Sequence, residues 1–152
     1  GATRAETRHQ VPDATRFVGG EGIDYQAVPA DRIVFATKGD DRLWALDPAS
    51  DRLEILYDRA QTPDAPLSGV DNVFAAPNGD LYVAEDGGDL QIVVRTPRGR
   101  LQPIVQVTGQ PDSELTGPAL TPDGRRLYFS SQRGPGTTYE VEGPFLACTT
   151  AR

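Results

Sequence analysis

The sequence predicts an all-β fold built from three repeated antiparallel units, and two observations carry that prediction. The first is internal repetition: "IVFATKGDDRLWALDPASDRLEILYD" (33 to 58) aligns with "LYVAEDGGDLQIVVRTPRGRLQPIVQ" (81 to 106) at an offset of 48, without a gap. "LYFSSQRG" (127 to 134) answers "LYVAEDGG" at an offset of 46. The second is punctuation. Short runs of Val, Ile, Leu, Tyr and Phe end at turn formers such as Asp47-Pro48, Pro77-Asn78-Gly79, Pro97-Arg98-Gly99 and Pro122-Asp123-Gly124. A period of roughly 40 to 50 residues with about four strands per unit is the pattern of a β-propeller blade.

Taken in order, residues 1–16 form a polar N-terminal segment, read as a strand or linker from a preceding blade. The propeller region, 17–145, divides into blades at about 17–58, 69–107 and 114–145, joined by the polar stretches "RAQTPDAPLS" (59 to 68) and "TGQPDSE" (108 to 114), and 146–152 is a tail. Trp44, with Leu46 and Ile92, falls on a third strand and reads as core between blades. Propellers close with roughly four to eight blades. Three would leave strand edges and an apolar face open, so the sequence predicts self-association or a companion N-terminal fragment that completes the ring.

Composition narrows the chemistry. At 152 residues one domain is expected, and no apolar run approaches the roughly 18 residues that span a bilayer. A net charge of -7 with scattered basic residues is wrong for a nucleic acid partner. His9 is the only histidine and Cys148 the only cysteine, which removes Ser-His-Asp and Cys-His catalysis, multi-histidine metal sites and thiolate zinc sites. Carboxylates, amides and arginines are left to carry any chemistry. No apolar signal region or twin-arginine motif is present.

The carboxylates are suggestively placed. Aligning the blades on Pro29, Pro77 and Pro122 brings Glu21, Gly69 and Glu114 to one position at the start of each first strand, and first strands line a propeller axis. Asp71 and Asn72 follow on the first strand of the second blade. Its second strand ends at Glu85-Asp86, where Gly87-Gly88 permits the chain to turn. Glu21, Asp71, Glu85, Asp86 and Glu114, with Asn72 nearby, make a candidate oxygen ring for a hard cation such as calcium, which takes roughly 6 to 8 oxygen ligands and offsets repulsion among acids. The alternative is that they are turn residues of a soluble β protein. Lys38, the only lysine, and Arg133 occupy the corresponding strand ends of the other blades and are candidates to bind an anion such as phosphate.

"GGEGIDY", "FATKGDDRLWALDP", "PLSGVDNVFAAPNGDLYVAEDGG", "SELTGPALTPDGRRLYFSSQRG" and "YEVEGPF", in this order, resemble the C-terminal half of the PhoX-like alkaline phosphatases over nearly all of residues 17 to 145. A weaker resemblance is to gluconolactonase and strictosidine synthase-like propellers. The first resemblance implies half of a six-bladed propeller with calcium and, in characterised members, iron at the axis, acting on phosphate monoesters in a secreted or periplasmic setting. It implies that Glu21, Asp71, Glu85 and Glu114 are metal-facing acids with Asp86 and Asn72 beside them. Arg133 would be the catalytic and substrate-binding arginine. The family's N-terminal half, with its cysteine ligand to iron, has no counterpart here, and Cys148 lies past the matching stretches. Two other readings stay open: a non-catalytic secreted propeller with structural calcium, and a lactonase-like calcium hydrolase.

Overall fold

The computed structural model describes residues 4–6, 9–62 and 64–146, so Cys148 lies outside it. These residues fold as eleven strands in three antiparallel sheets with a 3-10 turn at Arg59–Gln61. The first sheet runs in sequence order through β1 (Gly20–Gln26), β2 (Arg32–Thr37), β3 (Arg42–Asp47) and β4 (Arg52–Asp58). The second has β5 (Val70–Ala75), β6 (Leu81–Glu85), β7 (Gln91–Arg95) and β8 (Leu101–Gln106). The third has β9 (Leu115–Leu120), β10 (Arg126–Ser131) and β11 (Thr137–Glu142).

The expected fourth strand of the third unit is not found among the described residues. After β11 the chain turns back, with Gly143 N–H donating to Arg125 O and Phe145 N–H to Gly124 O, both at 2.9 Å. Pro144 between them has no N–H for a ladder.

Strand alternation makes two cores. Val34, Ala36, Leu43, Ala45 and Tyr57 of the first sheet pack against Val70, Val73, Leu81, Val83 and Val93 of the second. Tyr82, Ala84, Ile92 and Val94 on its other face pack against Leu115, Leu127 and Phe129 of the third. Every residue of β6 is buried, which is why "LYVA" reads as a continuous apolar run instead of an alternating one. At about 25 cal/mol per Å² of apolar surface these two layers are the main stabilising term.

The innermost strands lie side by side. A Cβ at Gly22 of β1 would stand 2.5 Å from Val73 N and 2.7 Å from Asn72 Cα of β5, a spacing only glycine tolerates. β5 in turn reaches β9, because Asn72 Oδ1 accepts from Thr116 Oγ1 at 2.9 Å and from Gly117 N–H at 3.0 Å.

Ladder registers correct the gapless repeat. Phe35 and Val83 are equivalent at an offset of 48, but on the first strands Ile23 matches Val73, and on the third strands Trp44 matches Val93. The β1–β2 hairpin loop, closed by Gln26 and Arg32, is two residues longer than the β5–β6 loop, closed by the Ala76 N–H to Asp80 O bond. Pro29 and Pro77 are therefore not equivalent. The bulge at Glu21-Gly22 in β1 matches the bulge at Asp71-Asn72 in β5, so Glu21 is level with Asp71 and not with Glu114. The matching of Glu114 with Gly69 does hold, through Asp86 N–H to Gly69 O and Gln132 N–H to Glu114 O, each 2.9 Å.

The register also moves Trp44. Ile92 is fully buried in the second core, whereas Trp44 lies on the outer face of the first sheet, stacked with Phe35 and met edge-on by Phe17. On that face Ile23 is 67% and Tyr25 55% exposed, while Val73, the equivalent of Ile23, is buried. The outer face of the third sheet is polar instead: Ser130 pairs with Thr138, and Arg126 with Glu140 and Glu142.

Candidate functional site

The second strands β2, β6 and β10 all finish at one end of the molecule, and the residue after each makes the same bond to the start of its first strand. Lys38 N–H donates to Gly19 O, Asp86 N–H to Gly69 O and Gln132 N–H to Glu114 O, at 2.8 to 2.9 Å. The fold thus brings Lys38, Asp86 and the Gln132-Arg133 pair to equivalent places. Gly69 is required there, because its φ is +57° and a Cβ would stand 2.7 Å from Asp86 O.

Carboxylate oxygens of Asp71, Asp86 and Glu114 gather within 4.8 Å of one another at this end. Asp71 comes from the β5 bulge, Asp86 from the β6–β7 loop and Glu114 from the residue before β9, with a bridge joining Asp86 and Glu114. Asp71 is buried, and its Oδ1 accepts from Asn72 Nδ2 at 2.6 Å. Asn72 spends its other end on β9, so it ties the blades and orients Asp71.

Two basic side chains lie against these acids. Lys38 Nζ pairs with Asp86 Oδ2. Arg133 Nη2 stands 2.6 Å from Glu114 Oε2 and 3.3 Å from Asp86 Oδ1. Arg133 is anchored as well by Nη1 to Asp112 O and by its backbone N–H to Ser113 Oγ, both at 3.1 Å. Beside it opens a pocket of about 420 Å³ lined by Gly109, Gln110, Ser113, Pro135 and Thr137 among others. A larger cleft of about 950 Å³, lined by Thr121, Asp123, Arg126 and Glu142, lies at the other end of the third sheet, remote from the acids.

Adjacent residues Glu85 and Asp86 go separate ways. Glu85 is fully buried; its Oε1 accepts from Ser68 N–H at 2.8 Å and its Oε2 from Gln91 N–H at 2.9 Å. Burial raises its pKa above 4.5, opposed by those two amides and reinforced by the charge of Asp89. With both oxygens engaged, Glu85 pins the loop that presents Asp86 and is not in the cluster. Glu21 is not in it either: it is exposed on the adjoining strand, level with Asp71.

Sequence reasoning missed Asp41. Its Oδ1 accepts from Val70 N–H at 2.9 Å and its Oδ2 from Gly69 N–H at 3.1 Å, so a side chain of the first sheet fixes the start of β5. The signal was the TKGDD turn, but Asp40 and Asp41 there cannot be told apart without the fold.

The donor set suits a hard cation. All three clustered residues offer oxygen, and among the described residues no sulfur or imidazole stands with them, the preference of calcium or magnesium and not of zinc. No helix among the described residues is long and apolar enough to cross a membrane.

Residues 42–136 match the family model for alkaline phosphatase PhoX. Asp71, Asp86, Glu114 and Arg133 lie inside that match; Glu21 and Lys38 lie before it. No curated protein matches the chain. Among solved structures it is similar to virginiamycin B lyase from Staphylococcus aureus, with a TM-score of 0.59 and 16% identity over 86% of this chain and 43% of the lyase. That likeness supports the propeller-like fold alone, and the chain spans less than half the length of that structure.

Proposed function

The chain belongs to the alkaline phosphatase PhoX family, a metal-dependent and typically secreted phosphatase family, and from that premise we propose that it is part of a calcium-dependent phosphomonoesterase. The observation that carries the reading is the convergence of Asp71, Asp86 and Glu114 from three separate chain segments within 4.8 Å. Repulsion among three carboxylates opposes such a gathering unless positive charge compensates it. Asp71, Asp86 and Glu114 would hold calcium, which when bound supplies Lewis-acid polarisation of a phosphoryl oxygen.

The chain's own residues do the rest. Arg133 presents a planar fork of donors to the equatorial oxygens of a phosphoryl group, and Lys38 adds a compact charge on the opposite side of Asp86. The pocket beside Arg133 takes the alcohol portion of the ester. Asn72, Glu85 and Asp41 position the acids and do not touch substrate. Iron, implied for complete relatives, has no cysteine or histidine near this cluster among the described residues. A further blade covers the apolar outer face of the first sheet, as the first sheet itself covers the equivalent face of the second. Its companion fragment would complete a secreted or periplasmic propeller.

Hydrolysis of para-nitrophenyl phosphate tests this, measured across a calcium titration with chelator and δ-valerolactone controls. Calcium-dependent release of nitrophenol abolished by Glu114→Gln is the expected result. Lactone turnover without phosphate ester turnover would favour a lactonase-like hydrolase. Calcium that raises Tm with no hydrolysis, in an assembly with the complete ring, would make the ion structural.

A further inference from the structure

Resting on that reading, we propose that Lys38 and Arg133 serve as internal counter-cations that calcium displaces, so that cation and phosphate bind with positive coupling. The carboxylates are the buried partners: the Asp86 and Glu114 side chains are 8% and 14% exposed, against 39% for Lys38 and 52% for Arg133. The basic groups therefore sit on the solvent side, over the oxygens that a metal needs. Both oxygens of Asp86 are occupied, Oδ2 by Lys38 and Oδ1 by Arg133. An oxygen engaged by an ammonium or guanidinium is a poorer metal ligand, so calcium has to displace these pairs.

The two basic residues differ in what they keep after displacement. The Arg133 guanidinium retains its Nη1 bond to Asp112 O and stays over the site. For Lys38 Nζ, Asp86 is the partner among the described residues, and once released the ammonium is free to swing. Charge sets the consequence. Three carboxylates and two basic groups sum to -1; a bound divalent ion makes the sum +1. The site changes from repelling a phosphate to attracting it, over distances at which screening is weak. Linkage makes the effect reciprocal: phosphate must tighten calcium by the factor with which calcium tightens phosphate.

Equilibrium dialysis of calcium against the full chain tests this, with and without inorganic phosphate kept below the solubility limit of its calcium salt. Phosphate is expected to tighten calcium about tenfold, within the usual range for coupled sites. Lys38→Gln and Arg133→Gln are expected to bind calcium more tightly than wild type without phosphate and to lose most of the coupling, while Arg133→Lys keeps it. An unchanged Trp44 emission spectrum checks that each variant is folded. Calcium binding indifferent to phosphate, or variants that bind calcium no more tightly than wild type, would overturn the coupling and leave the metal reading standing. No calcium uptake by the wild-type chain would overturn both.

Discussion

The two ends of the blades both carry charged networks, and they are built differently. At the end opposite the acids, Gln26 Nε2 donates to Gly79 O and Arg32 Nε to Gln26 Oε1, both at 2.6 Å, while Arg32 Nη1 meets Glu54 Oε1 at 2.6 Å. Arg95 Nε donates to Leu56 O at 2.9 Å. Each of these donors has a fixed partner, two of the four being backbone carbonyls, and the network stitches the first sheet to the second. At the acidic end three carboxylates meet two half-exposed cations on long side chains. A fixed network serves stability, whereas a loosely matched one can exchange its cations for a ligand, and the contrast can be broken experimentally.

The largest effect is expected at the acidic end. Asp86→Asn removes a charge that faces both cations and the proposed ion, and should weaken calcium binding by roughly a hundredfold or more, about 2.7 kcal/mol, while Tm moves little. Calorimetric titration with calcium checks it. Next comes Glu85→Gln, which leaves either Ser68 N–H or Gln91 N–H without its acceptor and loosens the Asp86 loop. About tenfold weaker calcium binding is expected, the size typical of changes behind a metal ligand.

At the opposite end Gln26→Ala strips Gly79 O and Arg32 Nε of a buried partner. Urea unfolding should show a loss of about 1–3 kcal/mol, with calcium affinity unchanged; a change in calcium affinity would blur the distinction between the ends. The smallest effect concerns Asp80, whose buried Oδ1 has no hydrogen-bond partner. Burial raises its pKa above 3.8, against the opposing Asn78 amide. The folded state therefore holds this proton more readily than the unfolded state, and the contribution to stability falls as pH rises from 3.8 through the folded pKa. Asp80→Asn should raise Tm at neutral pH by roughly 2–4 °C, the response of a domain this size to about 1 kcal/mol. Thermal melts at acid and neutral pH check the sign.

What the sequence revealed follows from physical periods. Strands, turns and the repeat were legible because a two-residue alternation and turns such as Asp47-Pro48 and Pro77-Asn78-Gly79 leave marks in any order of blades. Asp71, Asp86 and Glu114 were legible as acids at strand ends. That Glu21 is level with Asp71 and not, as the proline alignment placed it, with Glu114 was not legible, because a hairpin two residues longer shifts the register without disturbing the apolar pattern that the alignment reads. Nor could sequence separate Glu85 from Asp86, since which of two neighbouring carboxylates turns inward depends on Ser68 and Gln91, residues brought near only by the fold. Trp44 was legible as a third-strand residue, but not as one on the face turned away from the second sheet, because register decides the face.

The most direct test of the account is elemental analysis of the purified chain and its Asp86→Asn variant, equilibrated with calcium and passed through gel filtration. About one calcium per wild-type chain, lost in the variant while both elute as the same folded species, is the result expected. A metal-free wild-type chain, or equal calcium in the variant, would contradict it and leave the cluster of Asp71, Asp86 and Glu114 as a set of ion-paired loop residues.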